Sequence, residues 1–278
     1  ETLLLEYMRR DDISMQEVNL DSLIESASKN YEPNKVDRMI IISRPGVGKT
    51  RALMQLPNSI YFDLEDSTGH FQGNAEVINI SKIKETQGWG PVKTIKEMTN
   101  HIRSKGKKYR FCVVDTISII DDIAEPLALF NYKNTALGKN FKEDTIFALD
   151  FGGGYYWHRE AFQEIISCFE GIADTLILVA HVKDSSIKKG GESTSVLDLR
   201  LTGTLREIMS SKQDASGVLI FDKKDPDKRF LDFRKSEENT FMKCRPEHLA
   251  GKIVEISNLK DGKFETTWEN VFPDLKSK

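Results

Sequence analysis

The sequence predicts an α/β protein with a mostly parallel central sheet, helices on both faces of that sheet, and an antiparallel extension towards the C-terminal end. Beyond Arg38, short runs rich in β-branched residues alternate with segments of helical periodicity, which is typical of strand–helix–strand units. The chain has 278 residues, of which 39% are hydrophobic, and this is enough for a substantial core in one large or two small domains.

The core elements are predicted from short apolar runs and from helical spacing. Ile95, Met98 and Ile102 share one face of a helix, and Pro57 stops the helix that follows the first strand. The predicted helices are residues 49–56, a helix that ends near Gly106, and residues 157–171. The five predicted core strands are residues 38–43, 59–64, 110–115, 175–180 and 216–221.

The C-terminal part of the chain predicts antiparallel strands at residues 229–233, 252–257 and 263–268. Asp261-Gly262 separates the last two strands. This dipeptide favours a type I′ hairpin turn, because both central residues of that turn need a positive φ.

The first predicted strand runs directly into a glycine-rich turn that ends in a lysine and a threonine. Glycines allow backbone N–H groups to close around phosphate oxygens, a lysine reaches the β and γ oxygens, and a hydroxyl ligates Mg²⁺. The turn therefore predicts a phosphate-binding loop (P-loop) for a nucleoside triphosphate, with Ser43 where the strict motif has glycine; an ordinary strand–turn–helix is the alternative. The predicted nucleotide-binding residues are Arg44, Pro45, Gly46, Val47, Gly48, Lys49, Thr50 and Arg51.

Two predicted strands end in carboxylates. Asp115 ends the third strand, where P-loop ATPases place the acid that supports Mg²⁺, so Thr50 and Asp115 are the predicted metal residues. Glu65 lies in an acidic turn after the second strand, where a carboxylate can polarise the attacking water as a general base beside Lys49. The alternatives are a capping or turn role for Asp115 and a solvated turn around Glu65.

A histidine, His181, ends the fourth predicted strand. A polar side chain at this point can lie next to both the γ-phosphate and the following loop, so His181 is predicted to sense hydrolysis; a hydrogen-bonded boundary residue is the alternative. The following segment, residues 184–203, is rich in Gly, Ser and Lys and too long for a routine connection. It predicts a mobile functional loop.

A second irregular insertion is predicted at residues 121–156. It ends in three glycines that are followed closely by Tyr155, Tyr156 and Trp157. Aromatic side chains beside flexible glycines and basic residues suit stacking on unpaired nucleic-acid bases. The alternative is that these rings anchor the start of the next helix in the core.

The composition argues against a membrane protein, a disulfide framework and a zinc site. No segment approaches the ~20 apolar residues of a membrane span, and residues 1–10 lack the layout of a secretory signal, so a cytoplasmic protein is predicted. Cys112, Cys168 and Cys244 are far apart without Cys-x-x-Cys spacing and are expected to be buried thiols. The formal charge of -3 neither requires nor excludes nucleic acid.

The order of these motifs resembles the core of RecA/RadA recombinases over about residues 38–257: the P-loop, Asp-x-Glu at Glu65, Val-Val-Asp-Thr at Asp115, and Ala-His-Val-Lys at His181. The chain is more similar to phage ATPases called Sak-four single-strand annealing proteins. The resemblance implies ATP and Mg²⁺ as cofactors, water activation by Glu65, and coupling by His181 of the γ-phosphate to a DNA-binding loop. RecA proteins usually carry Asn-Gln where this chain has Ala180-His181.

The resemblance also implies that ATP lies between the subunits of a filament or ring. Lys243 and Arg245 resemble an element through which one such subunit touches the nucleotide of its neighbour, and a spacing of two puts both on one face of a strand. Arg234 and Lys235 are the second choice. The alternative is that these are strand-edge charges that oppose aggregation.

The implied organisation is an N-terminal arm at residues 1–37, an ATPase core at residues 38–257, and a C-terminal strand and tail at residues 258–278. The arm is expected to dock on the next subunit, and a plain packing helix is the alternative.

The sequence is interpreted as an ATP-dependent, single-stranded-DNA-binding recombinase or annealing protein of a phage, acting as an oligomer in the host cytoplasm. Single-stranded DNA is expected at residues 121–156 and 184–203, and a phage single-strand-binding protein is a candidate partner. Two alternatives are a helicase-like or packaging ring ATPase with the same core, and a nucleotide-dependent switch or scaffold with little hydrolysis.

Overall fold

A computed structural model describes residues 32–189, 192–222, 224–225, 227–236, 242–260 and 263–277. The chain divides into two compact units, Glu1–Pro33 and Asn34–Lys278. Nearly all of the first unit lies outside the described residues, and so does most of the arm that the sequence predicts at residues 1–37. All strands and helices of the described residues belong to the second unit.

The second unit is built on one large, mostly parallel sheet. Its strands are β1 (Arg38–Ser43), β2 (Ser59–Asp63), β3 (Glu76–Asn79), β4 (Tyr109–Asp115), β5 (Ala173–Lys189), β6 (Glu192–Leu199), β7 (Ala215–Phe221), β8 (Arg229–Asp232), β9 (Ile253–Lys260) and β10 (Lys263–Thr266). In the described part of the chain, six parallel strands lie in the order β3-β2-β4-β5-β1-β7, and β8, β9 and β10 continue the sheet as antiparallel strands.

Helices cover both faces of the sheet. They are α1 (Lys49–Leu53), α2 (Ile80–Gln87), α3 (Pro91–Ser104), α4 (Ile117–Lys133), α5 (Gly153–Ser167) and α6 (Leu205–Lys212). Because side chains alternate along a strand, Ile40 and Ile42 of β1 belong to the core shared with α2 to α6, whereas Met39 and Ile41 belong to the core shared with α1. The predicted fold class is therefore confirmed, including its antiparallel extension. Among the described residues, no helix has the length and apolar character needed to cross a membrane.

Residues 121–156 differ from the predicted irregular insertion. Their first part belongs to α4, and α5 begins at Gly153, not at residue 157. Ala124 and Ala128 are fully buried, so packing maintains α4 although Pro126 lies inside it. The residues between the two helices include the short 3-10 turns Gly138–Asn140, Ile146–Ala148 and Asp150–Gly152.

Residues 184–203 also differ from the prediction. Strand β5 continues to Lys189 and pairs with β6 in an antiparallel hairpin, from Val182 opposite Leu199 to Lys189 opposite Glu192. This pairing satisfies backbone groups that an irregular loop would leave to water. The prediction of an irregular loop is therefore wrong over these two strands.

Three short elements, β3, α2 and α6, are absent from the sequence-based prediction. They contain four, eight and eight residues, and such short segments carry little periodicity. Helix α1 is also shorter than predicted and ends at Leu53, not at residue 56.

The antiparallel extension agrees with the predicted strands to within a few residues. The proposed turn at Asp261-Gly262 lies outside the described residues. Trp268 is not part of a strand, because β10 ends at Thr266 and Trp268 begins a 3-10 turn. Its indole Nε1 donates a 3.0 Å hydrogen bond to the carbonyl oxygen of Ala52 in α1, which joins the extension to the first helix.

The three cysteines are free thiols. Cys112 is fully buried, whereas Cys168 and Cys244 are partly exposed. Burial raises the pKa of all three thiols, to about 11 for Cys244. All three are therefore protonated and poorly nucleophilic at neutral pH.

Candidate functional site

The P-loop, Glu65, Asp115 and His181 meet at one edge of the sheet. Because β1, β2, β4 and the first part of β5 are parallel neighbours, the carboxyl ends of these parallel segments lie together, which is where open α/β sheets bind ligands. His181, predicted to end the fourth strand, lies inside β5, which continues to Lys189. Ser43 lies opposite His181, and Asp63 lies opposite Asp115. The turns that follow β1 and β2 therefore meet beside Asp115 and His181.

The P-loop leaves β1 after Ser43 and enters α1 at Lys49. The backbone φ is 81° at Gly46 and 95° at Gly48, in the left-handed region that favours glycine. Gly48 precedes α1 and makes no side-chain cap, so the first N–H groups of that helix are not bonded by a capping side chain. The buried side chain of Val47 anchors the turn in the core. This backbone geometry suits a phosphate.

Other predicted nucleotide-binding residues lie at the surface. Arg44 and Pro45 are exposed. Arg51 is also exposed, and its guanidinium carbon lies 4.4 Å from the ring centroid of Phe264 in β10. This cation–π contact joins α1 to the antiparallel extension.

Lys49 lies between two carboxylates. Its ammonium nitrogen is 3.0 Å from Glu65 Oε2 and 3.3 Å from Asp115 Oδ1. The lysine side chain is only 11% exposed, so these attractions are weakly screened by solvent. Thr50 Oγ1 donates a 3.3 Å hydrogen bond to the second oxygen of Asp115.

Asp115 is a fully buried carboxylate at the end of β4. Tyr61 of β2 donates a hydrogen bond to its Oδ2 atom. Burial raises the pKa of Asp115, while the charge of Lys49 and the Tyr61 bond partly oppose that rise. Burial and the neighbouring Asp115 charge also keep the pKa of Tyr61 well above its usual value, so the phenol remains a donor.

The surroundings of Asp115 fit a hydrated Mg²⁺. Ser43 Oγ and Thr116 Oγ1 are buried and have no hydrogen-bond partner among the described residues, and Asp115 Oδ1 has only the 3.3 Å ion pair with Lys49 there. Such atoms usually face water or a ligand. The described residues contain no group of three or more His, Cys, Asp or Glu that could hold a metal. Mg²⁺ needs no such group, because it is commonly held by one or two protein oxygens together with phosphates and waters; Thr50 and Asp115 can supply them.

Asp63 organises the turn that carries Glu65. Its Oδ1 accepts the backbone N–H groups of Glu65 and Ser67, at 3.2 and 3.1 Å. Its Oδ2 accepts the backbone N–H and the hydroxyl of Thr68, at 2.9 and 2.7 Å, and an amide N–H of Asn79 at 3.2 Å. Asp63 is fully buried and occupied by these donors, so it holds the turn while Glu65 faces the P-loop.

Glu65 joins Lys49 to His181. One carboxylate oxygen pairs with Lys49, and the other accepts a hydrogen bond from His181 Nε2. Burial raises the pKa of Glu65, but the His181 bond and the Lys49 charge outweigh it, and the net pKa is below its usual value. Glu65 is therefore ionised at neutral pH.

His181 also contacts the base of the β5–β6 hairpin. Its backbone oxygen accepts a 3.0 Å hydrogen bond from the N–H of Arg200, and its own N–H donates to Ser118 Oγ at 3.3 Å. Thr202 follows closely and donates its N–H and hydroxyl to Asp121 of α4, both at 2.9 Å. One histidine thus links Glu65 to the chain that returns from the hairpin.

The second loop region carries an exposed group of rings. The rings of Phe151, Tyr155 and Tyr156, termed here the aromatic surface, are exposed at the start of α5. Trp157 is different, because it packs against Tyr132 with ring centroids 5.4 Å apart. Of the three aromatic residues predicted to stack on bases, Tyr155 and Tyr156 are exposed to solvent, whereas Trp157 helps to anchor the helix. A Cβ added at Gly203 would lie 3.4 Å from Tyr155, so the aromatic surface adjoins the end of the hairpin segment.

Lys243 and Arg245 lie away from this site. Lys243 Nζ donates to the carbonyl oxygen of Ser211, and Arg245 pairs with Asp214 at 3.0 Å. Asp214 in turn accepts the N–H of Arg38, at the opposite end of β1 from the P-loop. The residues around Cys244 form only an isolated bridge with β7, so the predicted strand is absent there.

The two second-choice cations do not join the P-loop site either. Arg234 pairs with Asp232 at 2.8 Å, and Lys235 is exposed.

Tyr61 and Arg229 contact the site but are absent from the sequence-based prediction. Arg229 of β8 donates from Nε to the carbonyl oxygen of Val47 in the P-loop, at 2.5 Å. No local motif marks either residue, because each reaches the site through strand pairing. One feature of the sequence could have identified Tyr61: it lies two residues before Asp63, and residues two apart lie on the same face of a strand.

Comparison with known proteins gives a family match. Residues 35–245 match a family model described as an AAA domain. No curated protein matches the sequence significantly.

Two solved structures are similar at 13% sequence identity and a TM-score of 0.38. The crystal structure of the RadB recombinase is matched over 89% of this chain and 96% of that chain. An ATPase from the type III secretion system of pathogenic bacteria is matched over 66% of this chain and 52% of that chain, so the match spans about half of its length.

Proposed function

The chain belongs to the AAA-domain family, and we propose that it binds ATP with Mg²⁺ at its P-loop and hydrolyses it. The observation that carries the proposal is the joining of Lys49, Glu65 and His181 in one chain of contacts beside the buried Asp115. These are the parts that phosphoryl transfer to water requires: a phosphate cradle, a metal-supporting acid and a base.

The P-loop residues bind and orient the triphosphate. Bound Mg²⁺ supplies charge neutralisation on the phosphates, and Thr50 and Asp115 are the residues that would hold it. Lys49 exchanges its carboxylate partners for phosphate oxygens, which carry more negative charge. The attraction between Lys49 and Glu65 therefore weakens when nucleotide binds.

This exchange prepares Glu65 to act as the base. While Lys49 and His181 both bond to Glu65, its pKa is low and it is a poor proton acceptor. Loss of the Lys49 contact raises that pKa, and Glu65 then accepts the proton of the attacking water more readily. The hydrogen bond from His181 keeps the carboxylate in place during the step.

We further propose that single-stranded DNA is the partner that stimulates ATP hydrolysis. The exposed aromatic surface supports stacking on unpaired bases, and Arg159 lies over the ring of Tyr156 at 5.7 Å as a neighbouring cation. The segment that follows the hairpin lies beside the aromatic surface at Gly203 and is bonded to His181 through the N–H of Arg200. This supports a coupling between DNA contact and the position of Glu65.

The activity proposed is recombination or strand annealing by an oligomer of a phage in the host cytoplasm, with a single-strand-binding protein as a candidate partner. In a filament or ring, Lys243 and Arg245 would first leave Ser211 and Asp214 to reach a neighbour's nucleotide. The ion pair between Arg245 and Asp214 is weak enough to exchange, because Arg245 is exposed.

The test is steady-state ATP hydrolysis with Mg²⁺ in the absence of DNA, with single-stranded DNA and with duplex DNA, using Lys49→Ala as the blank. Stimulation by single strands, together with pairing of complementary strands and no unwinding of forked DNA, is the expected result. Directional unwinding would favour the ring helicase. ATP binding without turnover under all three conditions would favour the switch or scaffold.

A further inference from the structure

Arg229 touches the P-loop from a distant part of the chain. It is the first residue of β8, and its Nε donates a 2.5 Å hydrogen bond to the carbonyl oxygen of Val47. A Cβ added at Gly48 would lie 3.2 Å from the same Nε atom. The guanidinium therefore lies against the two residues that lead into Lys49, and the absence of a side chain at Gly48 gives it room.

The strand that carries Arg229 is irregular at this residue. Arg229 lies opposite Ser257, whereas Phe230 lies opposite Glu255, so the register between β8 and β9 shifts between Arg229 and Phe230. Irregularities of this kind occur next to active sites, where they redirect a side chain. Arg229 also pairs with Phe221 at the carboxyl end of β7, which puts it at the same edge of the sheet as the P-loop.

The contact acts on the peptide that joins Val47 to Gly48. A cationic donor on its carbonyl oxygen polarises the peptide, and the N–H of Gly48 becomes a stronger hydrogen-bond donor. Backbone N–H groups of this turn are the ones that cradle phosphates in a P-loop. The same bond restricts the turn before a ligand binds, so less freedom is lost on binding.

We propose that Arg229 is a positioning residue that holds the P-loop in its phosphate-binding conformation and strengthens the Gly48 N–H for the phosphates of a nucleoside di- or triphosphate. The inference rests on the proposed function, because it requires a nucleotide at the P-loop. Arg229 acts through the Val47–Gly48 peptide, so its effect falls on nucleotide affinity and not on the proton transfer at Glu65.

The experiment is calorimetric titration of ADP with Mg²⁺ into the full chain, for the wild type and for Arg229→Ala, Arg229→Gln and Arg229→Lys. Lys228→Ala is the matched control, because Lys228 is the adjacent cation. Within the described residues, its ammonium group pairs only with Asp225, at 3.8 Å. Arg229→Ala should weaken ADP binding about tenfold, the loss expected for one charge-assisted hydrogen bond. Arg229→Lys, which keeps the charge, should recover part of that loss, and Lys228→Ala should bind like the wild type.

Kinetics separate positioning from a purely structural role. In Arg229→Ala the KM for ATP should rise by about the same factor as the ADP Kd while kcat stays nearly constant, as expected when uniform binding is lost. If the alanine variant does not fold, Arg229→Gln, which keeps a neutral donor, gives the same comparison.

Two results would overturn the inference: wild-type affinity in folded Arg229→Ala or Arg229→Gln, or an equal loss in Lys228→Ala. If the wild type and Lys49→Ala both fail to bind ADP, the proposed function itself fails. Tight wild-type binding with unchanged Arg229 variants defeats only the inference.

Discussion

The ammonium group of Lys49 lies 3.0 Å from a carboxylate oxygen of Glu65, so the P-loop lysine and the candidate general base neutralise each other. The second oxygen of Glu65 is bonded to His181, and the second neighbour of Lys49 is the buried Asp115. Phosphate oxygens must therefore compete with two carboxylates for Lys49. The competition makes nucleotide binding and the basicity of Glu65 interdependent.

Replacement of Lys49 should cost stability as well as nucleotide binding. Lys49→Ala leaves the buried Asp115 without its cation, and breaking a buried charge pair costs about 3 kcal/mol. Protonation of Asp115 removes the unpaired charge, so the loss should be largest near pH 8 and smaller near pH 5, since burial already raises the pKa of this carboxyl. Urea unfolding of both proteins at the two pH values measures it. An equal loss at both values would contradict the assignment to Asp115.

Glu65→Gln should separate nucleotide binding from turnover. The amide keeps the shape of the side chain but cannot accept the proton of the attacking water, so hydrolysis should fall by about 10²-fold or more. ADP binding should be retained or tighter, because a charged competitor for Lys49 is removed. Phosphate release and ADP titration measure the two effects. Glu85→Gln, on the exposed side of α2, is the control and should match the wild type. Full turnover in Glu65→Gln would remove Glu65 from the proposed mechanism.

The contribution of Glu65 to stability should depend on pH. Although burial raises its pKa, the His181 bond and Lys49 lower it overall, from a usual value of 4.5. A carboxyl with a lowered folded-state pKa stabilises the protein above its unfolded pKa, and this contribution is lost as the pH falls through the folded pKa. The free energy of unfolding of the wild type should therefore exceed that of Glu65→Gln at pH 7, and the difference should shrink below about pH 4.5. A difference that stays constant down to pH 3 would show that the ionised form is not favoured by its partners.

Asp115→Asn should raise the stability of the protein and abolish its Mg²⁺-dependent activity. Because burial raises the pKa of Asp115, its ionised form is disfavoured in the folded protein, and each unit of such a shift corresponds to about 1.4 kcal/mol. The neutral amide should therefore raise the melting temperature at pH 7 in the absence of nucleotide, while Mg²⁺-dependent turnover is lost. A lower melting temperature in Asp115→Asn would show that the Lys49 pairing outweighs the burial cost.

Tyr61→Phe is the companion variant. It removes the hydrogen-bond donor to Asp115 and should increase the Mg²⁺ concentration needed for half-maximal turnover.

The aromatic surface should contribute to single-stranded DNA binding. Alanine at Tyr155 or Tyr156 should weaken binding of an oligothymidine by about 1–3 kcal/mol for each stacked base that is lost. Fluorescence anisotropy at fixed salt measures the affinity. Phe71, an exposed ring that follows the turn after β2, gives the control variant Phe71→Ala. Equal affinities for all three variants and the wild type would assign the aromatic surface to another partner.

The local motifs could be predicted because their chemistry lies in contiguous residues. Positive φ angles are required at Gly46 and Gly48, and both glycines belong to one turn that is visible as a pattern. The end of β4 at Asp115 was predictable for a similar reason, since an apolar run that stops at a polar residue marks its own boundary. The same rule failed at His181, because β5 continues through this residue to Lys189.

Contacts made across the sheet could not be predicted in this way. Tyr61 reaches Asp115 because β2 pairs with β4, and Arg229 reaches Val47 although 182 positions separate them in the sequence. The hairpin of β5 and β6 was not predicted because its composition, rich in Gly, Ser and Lys, is typical of a loop. Its regular structure depends on the hydrogen bonds between the two strands.

The P-loop, the alternation of strands and helices, and the polar residues that follow the apolar runs were predictable from the sequence, because these features depend on local sterics and on hydrophobic periodicity. Which charged side chains form ion pairs depends on the tertiary structure. The pairing of Lys49 with both Glu65 and Asp115 depends on the parallel order of β1, β5, β4 and β2 and on exclusion of water between them. Charges interact through space and in proportion to their burial, and neither distance nor burial is encoded at any single position of the chain.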